Sequence, residues 1–439
     1  MGVHTLAALA LLLAGHQQAP VLRAPAPCAG SPGFTCSVVD VPLDRSGRHA
    51  GMLHLRVAAA DNVRAPRGVL LVIAGGPGQP ATQLVARFAG QALAAERKAY
   101  RIVAYDQRGT GAGALSCGAL QAAMGSSDLA PPPAAAVRAC ARKLGARRQF
   151  FGTDDVVADM DALRRALGAE RWTLDGISYG TFVGERYALA HPQRVQRLVL
   201  DSVVPHVGET DLGVDEFRAT RRVLRTVCGD ACVRDLATTV RRYRSGPRLL
   251  DALTVLSIAD PTYRTLIDVP AALHAAARGD RSSLDLWLRT ARAWQAAPAT
   301  ALDQGLHASA LCADWRYPWG SSAAPLASRA AKLRRAVARL RPAALYPFDR
   351  ATAAGNGFIR QCLPWAPTPP TPLVPGKIRV PTLLVNGDHD LSTPLEWARE
   401  ELRLTTNAKL VVVRGAGHST QSRASTDVSR KAVARFLLG

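Results

Sequence analysis

Residues 172–181 read WTLDGISYGT, and this stretch decides the fold. Its first four residues have the composition of a buried strand, and residues 181–190 favour a helix. Between them, the Gly-x-Ser-x-Gly pattern places Ser178 in a strained strand-to-helix turn, where only small neighbours avoid a clash. Such a turn lifts the serine Oγ into the open at one edge of a sheet. The stretch therefore predicts that Ser178 is a nucleophile.

Five further segments resemble the strand predicted at 172–175. They are short, apolar runs bounded by turn-forming residues, and they lie at 69–74, 101–105, 195–200, 382–386 and 409–413. Such strands, separated by helical segments, indicate a mostly parallel sheet with helices on both faces. Residues 34–43 and 52–60, joined by a polar turn, predict an N-terminal hairpin. Together with the turn at Ser178, this pattern predicts the α/β-hydrolase fold.

Between residues 205 and 372 the strand pattern gives way to helical periodicity. Helices are predicted over 214–227, 231–244, 270–277, 283–296 and 327–340, and a Pro-rich stretch at 364–375 then returns the chain to the sheet. We expect a signal peptide and Pro-rich leader over residues 1–27 and the first part of the core over 28–204. A helical cap is expected at 205–372, followed by the C-terminal part of the core at 373–439.

A serine nucleophile of this fold needs an acid and then a histidine further along the chain. His418 is the best candidate, because it lies in the loop after the strand predicted at 409–413 and could accept the serine proton. Asp388 and Asp390 both follow the strand predicted at 382–386, and spacing alone does not separate them. The later residue reaches further from the strand, which favours Asp390 as the acid and leaves Asp388 as a turn or capping residue. Surface or helix-packing roles are predicted for His191, His206, His274 and His307.

A glycine-rich loop, Gly75-Gly76-Pro77-Gly78, follows the strand predicted at 69–74. The oxyanion of a tetrahedral intermediate needs two backbone N–H donors. Tyr179, the residue after the nucleophile, should supply one of them. Pro77 has no N–H, so Gly76 or Gly75 must supply the other, and Gly76 is our prediction. A phosphate-binding loop is excluded because no Lys-Ser/Thr pair follows.

Several polar residues at strand ends are predicted to be structural. Asp106 and Arg108 are expected to pair and to pin loops near the site, and Asp201 is expected to anchor a loop. No group of His, Asp, Glu or Cys has the spacing of a metal site. The sequence therefore predicts neither a metal nor any other cofactor.

The chain is strongly basic, with 55 Lys and Arg residues against 34 Asp and Glu residues and a formal charge of +21. Such a charge is typical of proteins that bind nucleic acid or a membrane surface. Here the basic residues are scattered and no recognition motif accompanies them, so no nucleic-acid partner is expected. Residues 332–341 carry the densest basic cluster, which we predict to be the solvated face of a helix whose apolar face holds Leu333, Val337 and Leu340.

The N-terminus and the cysteines both indicate export. Residues 6–14 form an apolar run that is too short to span a bilayer and fits the core of a signal peptide. The eight cysteines fall into local pairs without metal spacing: Cys28/Cys36, Cys117/Cys140, Cys228/Cys232 and Cys312/Cys362. A disulfide set of this kind needs an oxidising compartment, so the protein is predicted to be secreted. No other apolar run reaches transmembrane length, so no stable membrane insertion is expected.

These residues resemble the proline iminopeptidase and tripeptidyl aminopeptidase family of serine exopeptidases. The resemblance begins with GGPG at 75–78, DQRGTG at 106–111 and GISYGT at 176–181. The secreted tripeptidyl aminopeptidase branch is the closer match, through LSC at 115–117, ACA at 139–141, FGT at 151–153, DMDALR at 159–164, ALG at 166–168, LCADW at 311–315 and QCLPW at 361–365. It covers most of the chain from about residue 36 and is weakest within the cap.

The resemblance implies an enzyme that cleaves peptides near a free N-terminus through an acyl-enzyme. It places the acid at the last position of a G-x-x-D turn, which is Asp390 here, and it supports a bond between Cys312 and Cys362. Such an enzyme needs an anionic group for the substrate ammonium. Glu209 and Glu216, at the start of the cap, are the candidates, although surface helix positions would explain them equally well.

The same residues fit two other functions. An esterase or other acyl hydrolase would use the same nucleophile, base and acid. A secreted binding protein that kept the fold without catalysis is the other alternative, and the intact set of catalytic candidates argues against it.

Overall fold

Nine strands form one sheet in the part of the chain that the structure, a computed structural model, describes, namely residues 20–258 and 268–439. The strands are β1 (Leu22–Pro27), β2 (Phe34–Pro42), β3 (Met52–Ala60), β4 (Val69–Ile73), β5 (Arg101–Tyr105), β6 (Trp172–Ile177), β7 (Val195–Asp201), β8 (Thr382–Gly387) and β9 (Ala408–Val413). Their order across the sheet is β1-β2-β3-β5-β4-β6-β7-β8-β9. The six strands from β5 to the β9 edge are parallel, whereas β1, β2 and β3 pair antiparallel with their neighbours.

The sequence-based strands are confirmed, with ends that differ by at most two residues. The predicted hairpin is present as β2 and β3, paired from Phe34 with Ala60 to Pro42 with Met52. β4 and β6 are buried along their whole length, which explains the unbroken apolar sequence of β4. The observed fold is the predicted α/β-hydrolase fold.

The Pro-rich segment before Cys28 is more ordered than expected. It was predicted to belong to a leader, but Leu22–Pro27 form β1 at the edge of the sheet. Proline is tolerated there because an edge strand needs backbone N–H donors on one side only. The predicted export signal at residues 6–14 lies outside the described residues.

The order of the parallel strands creates a crevice at their carboxyl ends. The chain leaves β4 towards β5 on one side and leaves β6 towards β7 on the other. Ligands of open α/β sheets bind where the connections diverge in this way. The loop at residues 75–78 follows β4 and Ser178 follows β6, so the two predicted elements meet at this point.

Helices cover both faces of the sheet. Those outside the long segment between β7 and β8 are α1 (Val85–Arg87), α2 (Gly118–Met124), α3 (Ala134–Leu144), α4 (Thr153–Ala166), α5 (Tyr179–Ala190), α15 (Leu395–Leu404), α16 (Thr420–Arg423) and α17 (Val428–Leu438). On one face Leu71 and Leu174 pack in a cluster with residues of α4 and α5. On the other face Leu70 and Val199 pack with residues of α1 and α17. Both faces of the strands are therefore in the core.

Between β7 and β8 the described residues form helices and no strand. These helices are α6 (Val214–Tyr243), α7 (Gly246–Ile258), α8 (Val269–Arg278), α9 (Ser282–Trp294), α10 (Gln304–Asp314), α11 (Leu326–Arg339), α12 (Pro342–Leu345), α13 (Arg350–Gly355) and α14 (Gly357–Cys362). The five predicted helices are present, the first two as halves of α6 on either side of a kink at Gly229. α10 was missed because every one of its residues is buried, and such a helix has no polar face to reveal its period.

The four predicted cysteine pairs are confirmed as disulfides: Cys28–Cys36, Cys117–Cys140, Cys228–Cys232 and Cys312–Cys362. The predicted basic helix is also confirmed as α11, which buries Leu333 and Val337 and exposes Arg334 and Arg335. Among the described residues, no helix is long and apolar enough to cross a membrane.

The prediction that Asp106 and Arg108 pair with each other is wrong. The Asp106 carboxylate accepts the N–H groups of Ala81 and Thr82, both at 2.9 Å, and the Thr82 hydroxyl at 3.0 Å. Arg108 instead forms a two-pronged ion pair with Asp159, with distances of 2.6 Å from Nε and 2.7 Å from Nη2. Each side chain forms more hydrogen bonds with these partners than a pair between Asp106 and Arg108 would provide.

We expect Arg108→Met to lower the free energy of unfolding by about 3 kcal/mol, measured by urea denaturation. The guanidinium and the Asp159 carboxylate are both fully buried, so the change leaves a buried charge without its main partner. Arg334→Met, at an exposed position of α11, should change stability by less than about 0.5 kcal/mol. Equal effects of the two substitutions would contradict a structural role for Arg108.

Candidate active site

Ser178 occupies a strained turn between β6 and α5. Its φ of 58° and ψ of −129° are rare for a residue other than glycine and persist only where the surroundings impose them. The Ser178 N–H donates to the carbonyl of Asp201 at 2.9 Å, and the Thr181 N–H donates to the Ser178 carbonyl at 2.8 Å. Strand β7 and the first turn of α5 therefore hold the turn from both sides.

The glycines around Ser178 are required by space. A Cβ atom at Gly176 would lie 2.5 Å from the carbonyl oxygen of Gly180, and one at Gly180 would lie 2.2 Å from that of Ile73. A Cβ atom at Gly75 would lie 2.8 Å from the Cβ atom of Ser178. The loop after β4 therefore packs directly against the candidate nucleophile.

His418 and Asp390 form a hydrogen-bonded pair on two neighbouring loops. His418 Nδ1 lies 2.9 Å from Asp390 Oδ2, and both side chains are buried. The loops follow β9 and β8, which are adjacent in the sheet. Because a carboxylate can only accept, Nδ1 carries the proton and Nε2 is left as the basic nitrogen.

The Asp390 carboxylate is held in its ionised form. It accepts the N–H groups of Ser392 at 2.9 Å and Thr393 at 3.0 Å, and the Thr393 hydroxyl at 2.8 Å. Burial alone would raise the pKa of Asp390, but the charge of His418 and these hydrogen bonds outweigh it and lower the pKa. An anion at this position can orient the His418 ring and stabilise an imidazolium.

Asp388 has a different environment. Its Oδ1 accepts the N–H of Gly415 at 2.7 Å, so the side chain links the loops after β8 and β9. The Asp388 carbonyl accepts a hydrogen bond from Arg222 of α6. These contacts are those of the turn-stabilising residue expected from the sequence, and Asp390 holds the position next to His418.

Asp201, at the end of β7, joins the serine turn to the histidine loop. Its carbonyl accepts the Ser178 N–H, as described above. Its carboxylate accepts the N–H groups of Thr420 at 2.9 Å and Gln421 at 2.8 Å, and the Thr420 hydroxyl at 2.9 Å. The prediction that Asp201 anchors a loop is confirmed, and the loop is the one that carries His418.

Residues of the segment between β7 and β8 also fix the catalytic loops. The His418 N–H donates to the carbonyl of Ser257 in α7 at 2.7 Å. The Asp303 N–H donates to the carbonyl of Gly78 at 3.0 Å, and a Cβ atom at Gly78 would lie 2.6 Å from the Asp303 carbonyl oxygen. The loop with the predicted donor Gly76, which has a φ of 104°, is therefore clamped against the start of α10.

The side chain of Tyr179 anchors the residue whose N–H is the other predicted oxyanion donor. Its hydroxyl lies 2.7 Å from Asp314 Oδ2 and 2.7 Å from Thr153 Oγ1. Asp314 also accepts the Thr153 N–H at 2.9 Å. This buried network ties the first residue of α5 to α4 and α10.

Two cavities lie near these loops. An apolar cavity of about 140 Å³ is lined in part by Ser257, His389 and Leu391. The carbonyl of Ser257 accepts the His418 N–H, and His389 and Leu391 are the chain neighbours of Asp390. A second cavity of about 290 Å³, here called the acidic pocket, is lined by four carboxylates, two tryptophans and five further residues: Glu209, Asp211, Asp215, Glu400, Trp315, Trp397, Val204, Pro205, Val207, Gly208 and Thr210.

The two glutamates predicted to bind a substrate amine differ in position. Glu209 lies in the wall of the acidic pocket, whereas Glu216 is buried and does not line it. Asp211, Asp215 and Glu400 in the same wall were not singled out from the sequence. Burial and then the charge of Asp211 raise the pKa of Asp215 to about 6. Above that pH Asp215 adds its negative charge to the pocket.

The histidines predicted to be non-catalytic bond to groups other than Asp390. His307 lies 2.9 Å from Gln361 Oε1, and His206 Nδ1 lies 2.9 Å from Glu401 Oε2. Thr393 was not singled out from the sequence, although its hydroxyl lies 2.8 Å from Asp390 Oδ2 and 3.2 Å from His418 Nδ1. A hydroxyl residue three positions after the acid is the feature that could have revealed it.

Two sequence-family profiles match separate parts of the chain. Residues 68–222 match the family described as alpha/beta hydrolase fold, and residues 347–439 match the family described as TAP-like protein. The first match agrees with the strand order and the turn at Ser178. The chain has the α/β-hydrolase fold. The second match supports its predicted resemblance to tripeptidyl aminopeptidases.

Curated relatives of this α/β-hydrolase include peptidases. The tripeptidyl aminopeptidase of Streptomyces lividans is 30% identical over 188 residues, with 38% of this chain and 35% of that protein covered. A probable proline iminopeptidase of Streptomyces coelicolor is 33% identical over 133 residues, with 30% of this chain and 32% of that protein covered. The chain thus covers about a third of each relative. These matches confirm the predicted family resemblance and support the predicted class, a serine peptidase.

Among solved structures, the proline iminopeptidase of Mycobacterium smegmatis is similar to this α/β-hydrolase with a TM-score of 0.45 and 16% sequence identity. The superposition covers 92% of this chain and 98% of that chain.

We expect Asp390→Asn to lower kcat for an activated acyl substrate by about 10⁴-fold, because an amide cannot hold His418 in the required tautomer. Asp388→Asn is the matched control in the same loop and should retain activity within about 10-fold. Steady-state kinetics of the two purified variants, with circular dichroism to confirm folding, would check this. A larger loss of kcat in Asp388→Asn than in Asp390→Asn would contradict the assignment of Asp390 as the acid.

Proposed function

We propose that this α/β-hydrolase is a secreted serine aminopeptidase that cleaves peptide bonds near a free N-terminus. The observation that carries the proposal is the buried Asp390–His418 hydrogen bond of 2.9 Å, on loops that Asp201 ties to the strained turn at Ser178. Nucleophile, orienting acid and base then follow in the chain order that this fold requires.

In the proposed reaction, Ser178 Oγ attacks the carbonyl carbon of the scissile bond while His418 Nε2 takes the hydroxyl proton. Asp390 stabilises the resulting imidazolium. The N–H groups of Gly76 and Tyr179 stabilise the oxyanion of the tetrahedral intermediate. His418 then returns the proton to the leaving amine as the C–N bond breaks. Water, activated by the same histidine, hydrolyses the acyl-enzyme.

The acidic pocket supports recognition of a substrate ammonium group. Val204 lines this pocket, and its N–H donates to Thr181 Oγ1 at 2.9 Å. The Thr181 hydroxyl in turn donates to the carbonyl of Ser178 at 2.7 Å. Several carboxylates around an aromatic-lined cavity attract a cation both by charge and through the faces of Trp315 and Trp397. We assign the amine to Glu209 and Asp215 in this pocket, with the buried Glu216 behind them.

The apolar cavity beside the histidine loop supports an apolar substrate side chain near the scissile bond. Its remaining walls include Leu253 and Leu256 of α7 and Val223 and Leu224 of α6. A cavity of about 140 Å³ suits a small apolar residue such as proline or alanine. Secretion is supported by the four disulfides, which persist in oxidising compartments.

The proposal predicts that Ala-Ala-Pro-p-nitroanilide with a free amine is cleaved with a kcat/KM at least about 10-fold above that of its N-acetylated form. Prolyl- and alanyl-anilides and nitrophenyl esters complete the panel, assayed at pH 7.5. Asp215→Asn should lower kcat/KM for the free amine by about 10-fold and leave the acetylated substrate unchanged, because only the former carries the charge.

Asp230→Asn, at an exposed position on α6 away from the pocket, is the matched control and should leave both values unchanged. Turnover of esters without turnover of any anilide would sink the peptidase assignment and favour an esterase. Cleavage of acetylated and free peptides at equal rates would remove the aminopeptidase assignment alone.

A further inference from the structure

Three side chains from distant parts of the sequence meet behind the nucleophile helix. Glu185 lies on α5, His206 lies in the loop after β7, and Glu401 lies on α15. One ligand atom from each of the three lies within 4.8 Å of the other two. All three residues are buried, with exposed fractions of 0%, 2% and 0%. Two carboxylates and an imidazole therefore share a small volume that water does not reach from outside.

The Glu185 carboxylate points into this volume without a partner. Among the described residues, neither of its oxygens has a hydrogen-bond partner. A buried carboxylate normally pairs with a cation, receives hydrogen bonds or becomes neutral. The neighbouring Arg186 does not supply the contact, because its guanidinium nitrogens also have no hydrogen-bond partner in the described part of the chain. The site therefore has an unused anionic ligand facing a second carboxylate.

His206 and Glu401 have the arrangement of an ordered ligand pair. His206 Nδ1 lies 2.9 and 3.0 Å from the two Glu401 oxygens, and Nε2 lies 3.3 Å from the carbonyl of Gly376. The Thr405 hydroxyl donates to Glu401 Oε1 at 3.0 Å. Metal-bound histidines usually donate their other N–H to a carbonyl, and metal-bound carboxylates are usually hydrogen-bonded by neighbours.

The spacing also fits coordination. Ligand atoms bound to one tetrahedral ion at about 2.0–2.2 Å lie roughly 3.3 Å from each other, close to the separation between His206 and Glu401. We propose that Glu185, His206 and Glu401 bind a divalent transition-metal ion of the Zn²⁺ type. One nitrogen and two carboxylates suit Zn²⁺ better than Ca²⁺ or Mg²⁺, which require six or more oxygen ligands or retain several waters.

The site would be structural, because it contacts none of the reacting groups. Glu185 lies on α5, seven residues after Ser178, and Glu401 follows Glu400, which lines the acidic pocket. The ion would brace α5 against α15 and the loop after β7. Binding displaces the proton between His206 Nδ1 and Glu401 and the proton of a neutral Glu185, and both protons are released to solvent. This inference is independent of the proposed peptidase activity.

A proton is the alternative occupant. Burial, and then the charge of Glu401, raise the pKa of Glu185 well above its ordinary value, so in the absence of a cation Glu185 would be neutral. The two occupants differ in a measurable way, because a cluster that binds Zn²⁺ exchanges the Glu185 proton for the ion and retains zinc after dialysis.

The test uses the purified full-length chain, stripped with a chelator and dialysed against ZnCl₂. We expect one zinc per chain by elemental analysis, and a rise in the thermal midpoint when Zn²⁺ is added. Loss of an outer-shell partner weakens metal sites by 10–100-fold, so Glu185→Gln should weaken zinc binding by at least about 100-fold. Glu96→Gln is the matched control, because Glu96 is also buried with an unpartnered oxygen and lies outside the cluster.

Wild-type zinc content no higher than that of Glu185→Gln, or an equal loss in Glu96→Gln, would overturn the proposal. If Glu185→Gln does not fold, Co²⁺ added to the stripped wild-type chain decides the matter. Intense visible absorption of a four-coordinate cobalt site would support the proposal, and the weak spectrum of hydrated cobalt would overturn it.

Discussion

The buried residue Asp201 makes the hydrogen bonds on which the arrangement of the candidate site depends. Its backbone carbonyl holds the strained turn at Ser178, and its side chain binds the first two residues after Ser419 in the loop of His418. Nucleophile and base come from chain segments about 240 residues apart, and neither Ser178 nor His418 lies within a helix or a strand. Asp201 is the last residue of β7, which lies between β6 and β8, so its acceptor oxygens fix both segments relative to the same strand. The positions of the reacting groups are thus set by the sheet.

The segment between β7 and β8 takes part in this arrangement, because its helices contact the catalytic loops directly. Ser257 of α7 accepts the His418 N–H, Asp303 before α10 fixes the loop with Gly76, and Asp314 anchors the Tyr179 ring. A helical insertion that only covered the site could move without disturbing it. Here the three contacts join the insertion to the base and to both predicted oxyanion donors. Its residues therefore belong to the framework that positions the candidate site.

Local patterns in the sequence were sufficient to predict the sheet and the disulfides, and they single out the candidate catalytic residues. Ser178, Asp390 and His418 each follow a strand in a short, characteristic turn, so their neighbours reveal them. The partners of Asp106 and Arg108 could not be predicted, because Thr82 and Asp159 are close only in the folded chain. The same holds for sets assembled from distant segments: the carboxylates of the acidic pocket and the cluster of Glu185, His206 and Glu401. Helix α10 was missed because it is buried on all sides.

The central claim, that Ser178 is an activated nucleophile, is tested most directly by covalent labelling. A fluorophosphonate reacts only with a serine whose proton is removed by a neighbouring base, and mass spectrometry of the digested protein identifies the modified residue. The account predicts one label per chain, located on Ser178, with none on the Ser178→Ala variant and much slower labelling of His418→Ala. A label on a different serine, or a folded wild-type protein that takes up no label, would contradict it.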